Sequence, residues 1–285
     1  MHLKRVNIRS THWELDESNF EVLHADEPHA LVMAAGYLKF KHASSDSEGI
    51  YFRGQRKLYG QLVPSLFRGL TNQKTQERNI TALTDAINEF KNAGSIFASF
   101  GEYAHEPLLQ HYGINTTWID LVDNVWVALW FACHRAISAG KNSQYLHFQK
   151  RVPNNAEQYA YVLLVASDIV RRNRNKPGYF SGERTEMVDL RMAAPSVFLR
   201  PHAQHGLLFR MRGVDGNGRP TDYAEQIRGV IRVNLSDALN WLGDGKMVGT
   251  HALFPPPYYD SGYEILLSCQ VAGKRNVGRV FHVGA

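Results

Sequence analysis

The chain has 285 residues, of which 44% are hydrophobic and 21% charged, with a formal net charge of +5 at pH 7. These values are ordinary for a soluble globular protein with one large domain. No run of about eighteen apolar residues occurs, so no transmembrane helix is expected. The charged start after Met1 lacks a following apolar run, so no secretory signal is expected.

Apolar residues at helical spacing and local capping residues predict several helices. The predicted helices span 28–40, 81–100 with a break at Gly94, 107–112 ended by Gly113, 124–138 with Asp123 or Asn124 as N-cap, and 236–243. Strands are predicted at 51–55, 161–165, 197–199, 207–209, 230–233 and 279–283. The charged, glycine-containing stretch 168–192 is interpreted as a surface excursion.

Helices mixed with short, irregularly spaced strands predict an α+β fold. We expect a single domain over residues 46–285, with a mixed, mostly antiparallel sheet flanked by helices. Residues 1–45 are predicted to form an N-terminal helical extension. Cys133 and Cys269 lie in apolar runs and are interpreted as reduced core residues, which favours the cytoplasm.

The first chemically informative motif is Tyr51-Phe52-Arg53-Gly54-Gln55, an apolar strand end followed by a guanidinium, a glycine and an amide. Arginine is suited to bidentate binding of phosphate or carboxylate. Gly54 permits close approach of a backbone or a ligand. Taken alone, the motif also fits an arginine in a structural ion pair.

A second motif runs from His111 to Asp120, and a third contains Gln204. A buried aspartate must be paired or strongly hydrogen-bonded. Asp120 therefore either accepts from Arg53 in a structural pair or orients a ligand. His111, late in a predicted helix, is either a capping or core histidine or a functional one. Gln204 is either a loop amide or a ligand for a ribose hydroxyl.

No metal site is predicted, because the histidine pairs His202/His205 and His105/His111 have no acidic or cysteine partner at suitable spacing. No phosphate-binding loop or nucleophile elbow occurs, and the glycines of 213–218 are interpreted as a turn. Cys133 in an apolar helix is a poor nucleophile candidate.

The order and spacing of these motifs resemble the FRG domain family over about residues 49–260. The family is named for a Phe-Arg-Gly start, followed by a "PSL…R" segment, a "QHxGxPTRLLDW…ALxFA" block, a later "R…Q.G.F" segment and "LFP". The matching segments here are 51–55, 62–68, 110–120, 128–132, 200–209 and 253–255. The chain departs from the pattern at Asn115, Thr117 and Leu121, and at the segment after Pro255, where the family has an acidic run.

The strand-ending Arg-Gly of this family in turn resembles that of ADP-ribosyltransferases, which implies an ADP-ribosyltransferase-like core with NAD as substrate. By that resemblance the catalytic residues are Arg53, His111 and Gln204. The NAD contacts it implies are Tyr51, Arg53, Gly54, Gln55, Ser65, Thr116 and Asp120, and the implied aromatic walls are Tyr51, Phe52, Tyr112 and Trp118. By the same resemblance, Gln204, or an acid such as Glu225 or Glu264, would act on the ribose 2′-hydroxyl or the incoming nucleophile, and the choice among them stays open.

The resulting hypothesis is an NAD-dependent ADP-ribosyltransferase that modifies a nucleic acid or a protein, as a bacterial toxin or anti-phage effector. The alternatives are a non-catalytic module that binds a nucleotide or nucleic acid, and an NAD glycohydrolase. Expected partners are RNA or DNA and an antitoxin or regulatory protein, with no membrane. Two basic clusters are compatible with a polyanionic partner or with solvated loops: 171–176, and Arg200, Arg210, Arg212 and Arg219.

Overall fold

The structure, a computed structural model, describes residues 11–15, 21–42, 49–140, 144–155, 157–168, 171–172, 174–213, 220–269, 271 and 276–284. The helices are α1 (Pro28–His42), α2 (Gln73–Ala93), α3 (His105–His111), α4 (Val125–Cys133), α5 (Leu190–Ala193), α6 (Leu199–Ala203), α7 (Leu235–Trp241), α8 (Thr250–Leu253) and α9 (Ser261–Ser268).

Two sheets lie among these helices. Their strands are β1 (Thr11–Leu15), β2 (Glu21–Ala25), β3 (Gly49–Gln55), β4 (Ile119–Val122), β5 (His134–Ala139), β6 (Tyr145–Lys150), β7 (Tyr159–Ser167), β8 (Arg171–Arg172), β9 (Tyr179–Ser181), β10 (Thr185–Asp189), β11 (Gly206–Met211), β12 (Ile227–Asn234) and β13 (His282–Gly284). The ten-stranded sheet has the order β1-β2-β12-β7-β3-β4-β11-β10-β9-β8, and the three-stranded sheet has the order β13-β6-β5.

The large sheet is mixed and mostly antiparallel, because only β2 and β12 pair in parallel among its described strands. This confirms the predicted α+β class. Strand β7 occupies the centre, with β3 and β12 as its antiparallel neighbours. Its residues 160–167 are all buried, which explains why the sequence there is a continuous apolar run.

Apolar clusters cover both faces of the sheet. On one side α1, α4 and α7 pack together with Phe52, Leu164 and Ile231. The remaining core lies in two clusters, one around α2 and α3 and the other along the alternate residues of β4, β7 and β11. Strand β3, which carries Arg53, therefore has helix α4 packed on one face and a side-chain core near the other.

Most predicted elements are confirmed, with shifted ends. The helix expected at 81–100 begins at Gln73, where the Asn72 side chain accepts from the backbone of Thr75, and ends before Gly94. The helix expected at 124–138 begins after its N-cap Asn124 but ends at Cys133, because the next six residues pair with β6 as strand β5. The strand expected at 279–283 is shorter in the structure and corresponds to β13, His282–Gly284.

Two interpretations were wrong. The supposed surface excursion at 168–192 contains β9, α5 and the fully buried strand β10. The charged residues of this stretch suggested a surface loop, but some of them are paired inside the fold, as with Glu186 and Arg210. The strand expected at 197–199 is a turn leading into α6, and Phe198 is apolar because it packs in the core next to Tyr112.

The predicted boundary between residues 45 and 46 lies within 43–48, outside the described residues. On its N-terminal side the helix predicted at 28–40 is confirmed as α1, and strands β1 and β2 precede it. Strand β2 pairs with β12, and α1 packs in the same cluster as α4.

A close backbone contact holds β3 against α4. A Cβ atom built on Gly54 overlaps the carbonyl oxygen of Ala128 and lies 2.8 Å from the amide nitrogen of Ala132. Any side chain at residue 54 therefore pushes the strand away from the helix. The glycine is needed here for its small size, since its φ is not in the left-handed region.

We predict that Gly54→Ala destabilises the protein by about 3 kcal/mol or more, because backbone atoms cannot move aside as a flexible side chain can. The matched control is Gly36→Ala in α1, where a new Cβ meets nothing within 4 Å. This control should be neutral or stabilising by up to about 1 kcal/mol, since alanine favours helix. Urea unfolding followed by circular dichroism measures both, and equal stability of the two variants would contradict the packing argument.

Candidate functional site

A pocket of about 740 Å³ opens where the large sheet separates. Within the fully described strands β3 and β4, pairing is limited to Phe52 with Val122. The strands diverge beyond that pair, and the pocket is lined by β3 residues 52–55 on one side and by Asp120 and Val122 of β4 on the other. Its position is thus set by the point at which β3 stops pairing with β4.

Arg53 lies across this gap. Its Nη1 donates to the backbone carbonyl oxygen of Asp120 at 2.5 Å, which links the two strands where their ladder is interrupted. Its Nε is buried without a hydrogen-bond partner in the described part of the chain. Burial lowers the pKa of Arg53 to about 10, with the nearby charge of Asp120 opposing the shift and that of Arg68 adding to it. The guanidinium therefore remains cationic at neutral pH.

Asp120 is the centre of a side-chain network. Its Oδ2 accepts from Gln110 Nε2 at 2.9 Å, and its Oδ1 lies 3.3 Å from His111 Nδ1. Burial raises the pKa of Asp120, but hydrogen bonds from His111 and Gln110 and the charge of Arg53 outweigh burial, so the net shift is downward. The carboxyl group, which is 40% exposed, is therefore ionised at neutral pH.

Gln110 extends the network behind the pocket wall. Its Oε1 accepts from Thr116 Oγ1 at 2.7 Å and from Ser65 Oγ at 3.2 Å. The Ser65 hydroxyl in turn accepts from the backbone N–H of Thr116. These two hydroxyls orient Gln110, whose amide nitrogen then points at Asp120.

His111 is held from both sides. Its side chain is 2% exposed, its Nδ1 faces Asp120, and its Nε2 has no partner in the described residues. Gly206 packs against the ring, because a Cβ built there lies 2.6 Å from Nε2. The ring is thus fixed in orientation between the Asp120 carboxylate and the backbone of Gly206.

Arg200 lies deeper, and only 2% of its surface is exposed. Its Nη1 donates to the backbone oxygen of His111, while Nε and Nη2 have no hydrogen-bond partner in the described residues. The guanidinium carbon sits 4.3 Å from the ring centre of Tyr112 and 4.5 Å from that of Tyr263. Asp260 positions this unit, since it accepts from the Tyr112 hydroxyl and the Arg200 backbone N–H.

The structure brings most of the predicted site residues to one place. The pocket lining contains Arg53, Gly54, Gln55, His111, Asp120 and Gln204. Ser65 and Thr116 lie one hydrogen bond behind it, through Gln110. Gln204 donates from Nε2 to the Leu253 carbonyl oxygen at 2.8 Å, so its amide has a fixed orientation.

Other predicted contacts lie elsewhere. Tyr51 packs with the cluster along β4 and β11, and burial raises its pKa to about 12. Of the four aromatic wall residues predicted, Phe52 and Tyr112 line the pocket, whereas Trp118 is buried under Arg210. The Asp120 carboxylate bonds to Gln110 and His111, and Arg53 reaches only its backbone oxygen.

The proposed late acids are outside the pocket lining. Glu225 is paired with Arg184 and its side chain is 52% exposed. Glu264 is exposed on α9. Of the predicted basic clusters, Arg219 and the side chains of Arg171 and Arg172 lie outside the described residues.

Sequence reasoning did not assign site roles to three residues. Gln110 directly precedes His111 in the same motif, and Arg200 begins the segment that contains Gln204. Their positions inside these two motifs are the sequence features that could have indicated a role in the site. Asp260 follows three prolines and two tyrosines, and nothing in that segment indicates that it is buried against Tyr112.

Two further searches cover the described ranges. Within them, no group of three or more histidine, cysteine, aspartate or glutamate side chains is arranged to hold a metal ion. Over the same ranges, no helix combines the length and apolar character needed to cross a membrane.

Comparison with known families matches residues 48–141 to the model of the FRG domain. The match covers the first part of the stretch 49–260 on which the resemblance was based, and it includes Arg53, His111 and Asp120. The later motifs around Arg200 and Leu253 stay predictions. Comparisons with curated proteins and with solved structures found no match.

We predict that Asp120→Asn destabilises the protein near neutral pH and not in acid. The pKa of the folded-state carboxyl lies below its ordinary value of 3.8, so ionised Asp120 stabilises the fold above that value. This stabilisation is lost as the pH falls through the lower folded-state pKa. Unfolding in urea between about pH 7 and about pH 2 should show the difference between the two proteins begin to shrink below about pH 4 and vanish at the acid end.

The control for this experiment is Glu183→Gln, which removes an exposed carboxylate in the turn between β9 and β10. It should follow the wild-type profile throughout. A difference between Asp120→Asn and wild type that does not change with pH would instead mean that the asparagine alters packing.

Proposed function

We propose that this chain, which carries an FRG domain at residues 48–141, binds NAD in the pocket and transfers its ADP-ribose group to a nucleic acid or a protein. The observation that carries the proposal is a concentration of arginines without carboxylate partners in one concave, aromatic-walled site. Arginines in this setting suit a ligand that brings its own negative charge, such as a diphosphate.

The charge balance of the lining supports an anionic ligand. Four arginines line the pocket, and none has a carboxylate within 4.0 Å among the described residues: Arg53, Arg56, Arg68 and Arg200. Among the described residues, the lining contains one acidic side chain, Asp120. Over the same part of the chain, eight buried side-chain polar atoms have no hydrogen-bond partner, and four of these belong to Arg53, His111 and Arg200. Buried polar groups without partners are therefore concentrated at this pocket.

The walls suit the rest of a dinucleotide. Seven aromatic residues of the described chain line the same space: Phe52, Tyr59, Tyr112, Phe131, Phe148, Phe254 and Phe281. Such rings bind a heterocyclic base by stacking. The volume of about 740 Å³ lies within the usual range for small-molecule pockets, roughly 300–1,000 Å³. Shape and chemistry therefore fit a nucleotide.

We assign the residues as follows. Arg53 binds the diphosphate, since its Nη2 makes no hydrogen bond to a described residue and Nη1 is anchored on Asp120. Gln204, held by Leu253, presents its amide oxygen to a ribose hydroxyl. We assign the role of the late acid to Asp120, because its pKa is lowered, so that it is ionised, and because no other acid lines the pocket among the described residues. His111 keeps that carboxylate oriented.

In the transfer, the bond between the ribose C1′ and nicotinamide breaks, and nicotinamide leaves as a neutral molecule with the bonding electron pair. A bond from C1′ to the acceptor nucleophile forms, and the acceptor's proton passes to solvent. Positive charge develops on the ribose as nicotinamide leaves. A fixed, ionised carboxylate stabilises such charge because it needs no reorganisation. The network from Ser65 and Thr116 through Gln110 supplies that fixation.

A second candidate is a module that binds a nucleotide without consuming it. Both Asp120 oxygens already have partners in Gln110 and His111, which is also what a purely structural carboxylate would show. An NAD glycohydrolase, in which water replaces the acceptor, uses the same site. The proposal includes a cytoplasmic toxin or anti-phage role with an antitoxin as partner, and the free thiols of Cys133 and Cys269 are consistent with a reducing compartment.

The test is NAD consumption, followed by mass spectrometry, with purified protein and with RNA, DNA or lysate added separately. We predict nicotinamide release and a gain of one ADP-ribose unit on one acceptor class. Arg53→Lys and Asp120→Asn should each lower release by about 100-fold, the scale of losing one charge-stabilising group in an active site. Melting temperatures identify any variant that fails to fold.

The matched control is Glu264→Gln, which should retain wild-type turnover because Glu264 lies outside the pocket lining. Loss of turnover in this control, with activity kept in Asp120→Asn, would reverse the assignment of the acid. Free ADP-ribose as sole product favours the glycohydrolase, and bound but intact NAD favours the binding module. Neither binding nor release of NAD would overturn the proposal.

A further inference from the structure

The exposed end of the pocket is formed by two loops, residues 56–61 after β3 and residues 68–69 after a short turn of helix. We call these residues the pocket mouth. Arg56, Tyr59, Gln61 and Arg68 of this mouth all line the pocket. Lys57 is exposed in the first loop between them. A molecule bound in the pocket can therefore contact this surface.

The mouth carries positive charge without internal compensation. Arg56, Lys57 and Arg68 form no ion pair within the part of the chain that the structure describes, and Arg68 donates only to the backbone oxygen of Val63. Elsewhere, some exposed basic residues are paired, as in Lys91–Glu102 and Arg184–Glu225. Others have no ion pair among the described residues, for example Lys74, Arg78 and Lys246. What distinguishes the mouth is that three unpaired cations lie in two neighbouring loops at the edge of the pocket.

An aromatic ring stands among these cations. The Tyr59 side chain is 55% exposed and forms no ring–ring contact in the described ranges. It is followed by Gly60, whose φ of +67° places it in the left-handed region and turns the loop. An exposed aromatic side chain interleaved with basic ones is the arrangement that binds bases by stacking and phosphates by charge.

We infer that the pocket mouth binds a single-stranded nucleic acid, with Arg56, Lys57 and Arg68 on its phosphates and Tyr59 stacked on a base. This deepens the proposed function, because it names the acceptor class of the same pocket. A single strand is required because a base in a duplex is stacked and paired, and it cannot enter a recess between two strands of a sheet without being extruded. An acidic protein offers charge but no planar bases for Tyr59.

The test is fluorescence anisotropy with a labelled single-stranded oligonucleotide of mixed sequence, titrated at several salt concentrations. Arg56→Ala combined with Arg68→Ala should weaken binding by about tenfold or more and lower the slope of log K against log salt by about 1.4, since each phosphate contact on a single strand contributes about 0.7. Tyr59→Ala should weaken binding by about fivefold or more, as expected for loss of one stacking contact.

The matched control combines Lys91→Ala with Arg184→Ala, which removes the same charge from two sites outside the pocket lining. It should bind within about twofold of wild type and keep its salt slope. An equal loss in the control, tighter binding of the matching duplex, or equal binding of polyglutamate would overturn the inference. So would absence of binding by the wild-type protein.

Binding of NAD to the wild-type protein is measured separately by calorimetry. If NAD binds and the oligonucleotide does not, the acceptor assignment fails and the proposed NAD site stands. If the oligonucleotide binds as described and NAD does not, the mouth is confirmed as a nucleic-acid surface and the proposed donor is wrong.

Discussion

The architecture of the site depends on the contact between the backbone of Gly54 and the carbonyl end of Ala128 in α4. That contact leaves no room for a side chain, so β3 lies directly on the helix at this point. Pairing of β3 with β4 is limited to Phe52 and Val122. Beyond that pair, the Arg53 side chain links the two strands through its hydrogen bond to the backbone oxygen of Asp120. The pocket occupies the resulting opening.

From this opening a continuous series of hydrogen bonds leads inward. Arg53 contacts the backbone of Asp120, Asp120 contacts His111 through its carboxylate, and the backbone oxygen of His111 accepts from Arg200. Each member fixes the next, so the two most buried cations of the pocket are held at set positions. Preorganisation of this kind lowers the cost of binding a charged ligand, because the side chains are already ordered.

The structure brings together those predicted site residues that are close in sequence and belong to one motif. The run from Gln110 to Asp120 contains the helix end and the strand that together form the carboxylate network, and the short chain between them keeps these residues close. The prediction was wrong for the stretch 168–192, whose charged residues suggested an exposed loop. Glu186 in this stretch pairs with Arg210, 24 residues away, and so strand β10 is buried although it carries a charged residue. The acids predicted late in the chain, Glu225 and Glu264, lie outside the pocket lining, whereas Asp120 belongs to it.

The sequence by itself determined the α+β class, most helices and strands, and the set of polar residues beside apolar segments, because these follow from local periodicity and residue chemistry. Only the tertiary structure decided which of these residues meet. Arg200 reaches His111 across 89 residues and Tyr112 reaches Asp260 across 148, and neither contact leaves a local signal. Such pairings depend on how sheet and helices pack, since burial against distant partners is a property of the whole fold.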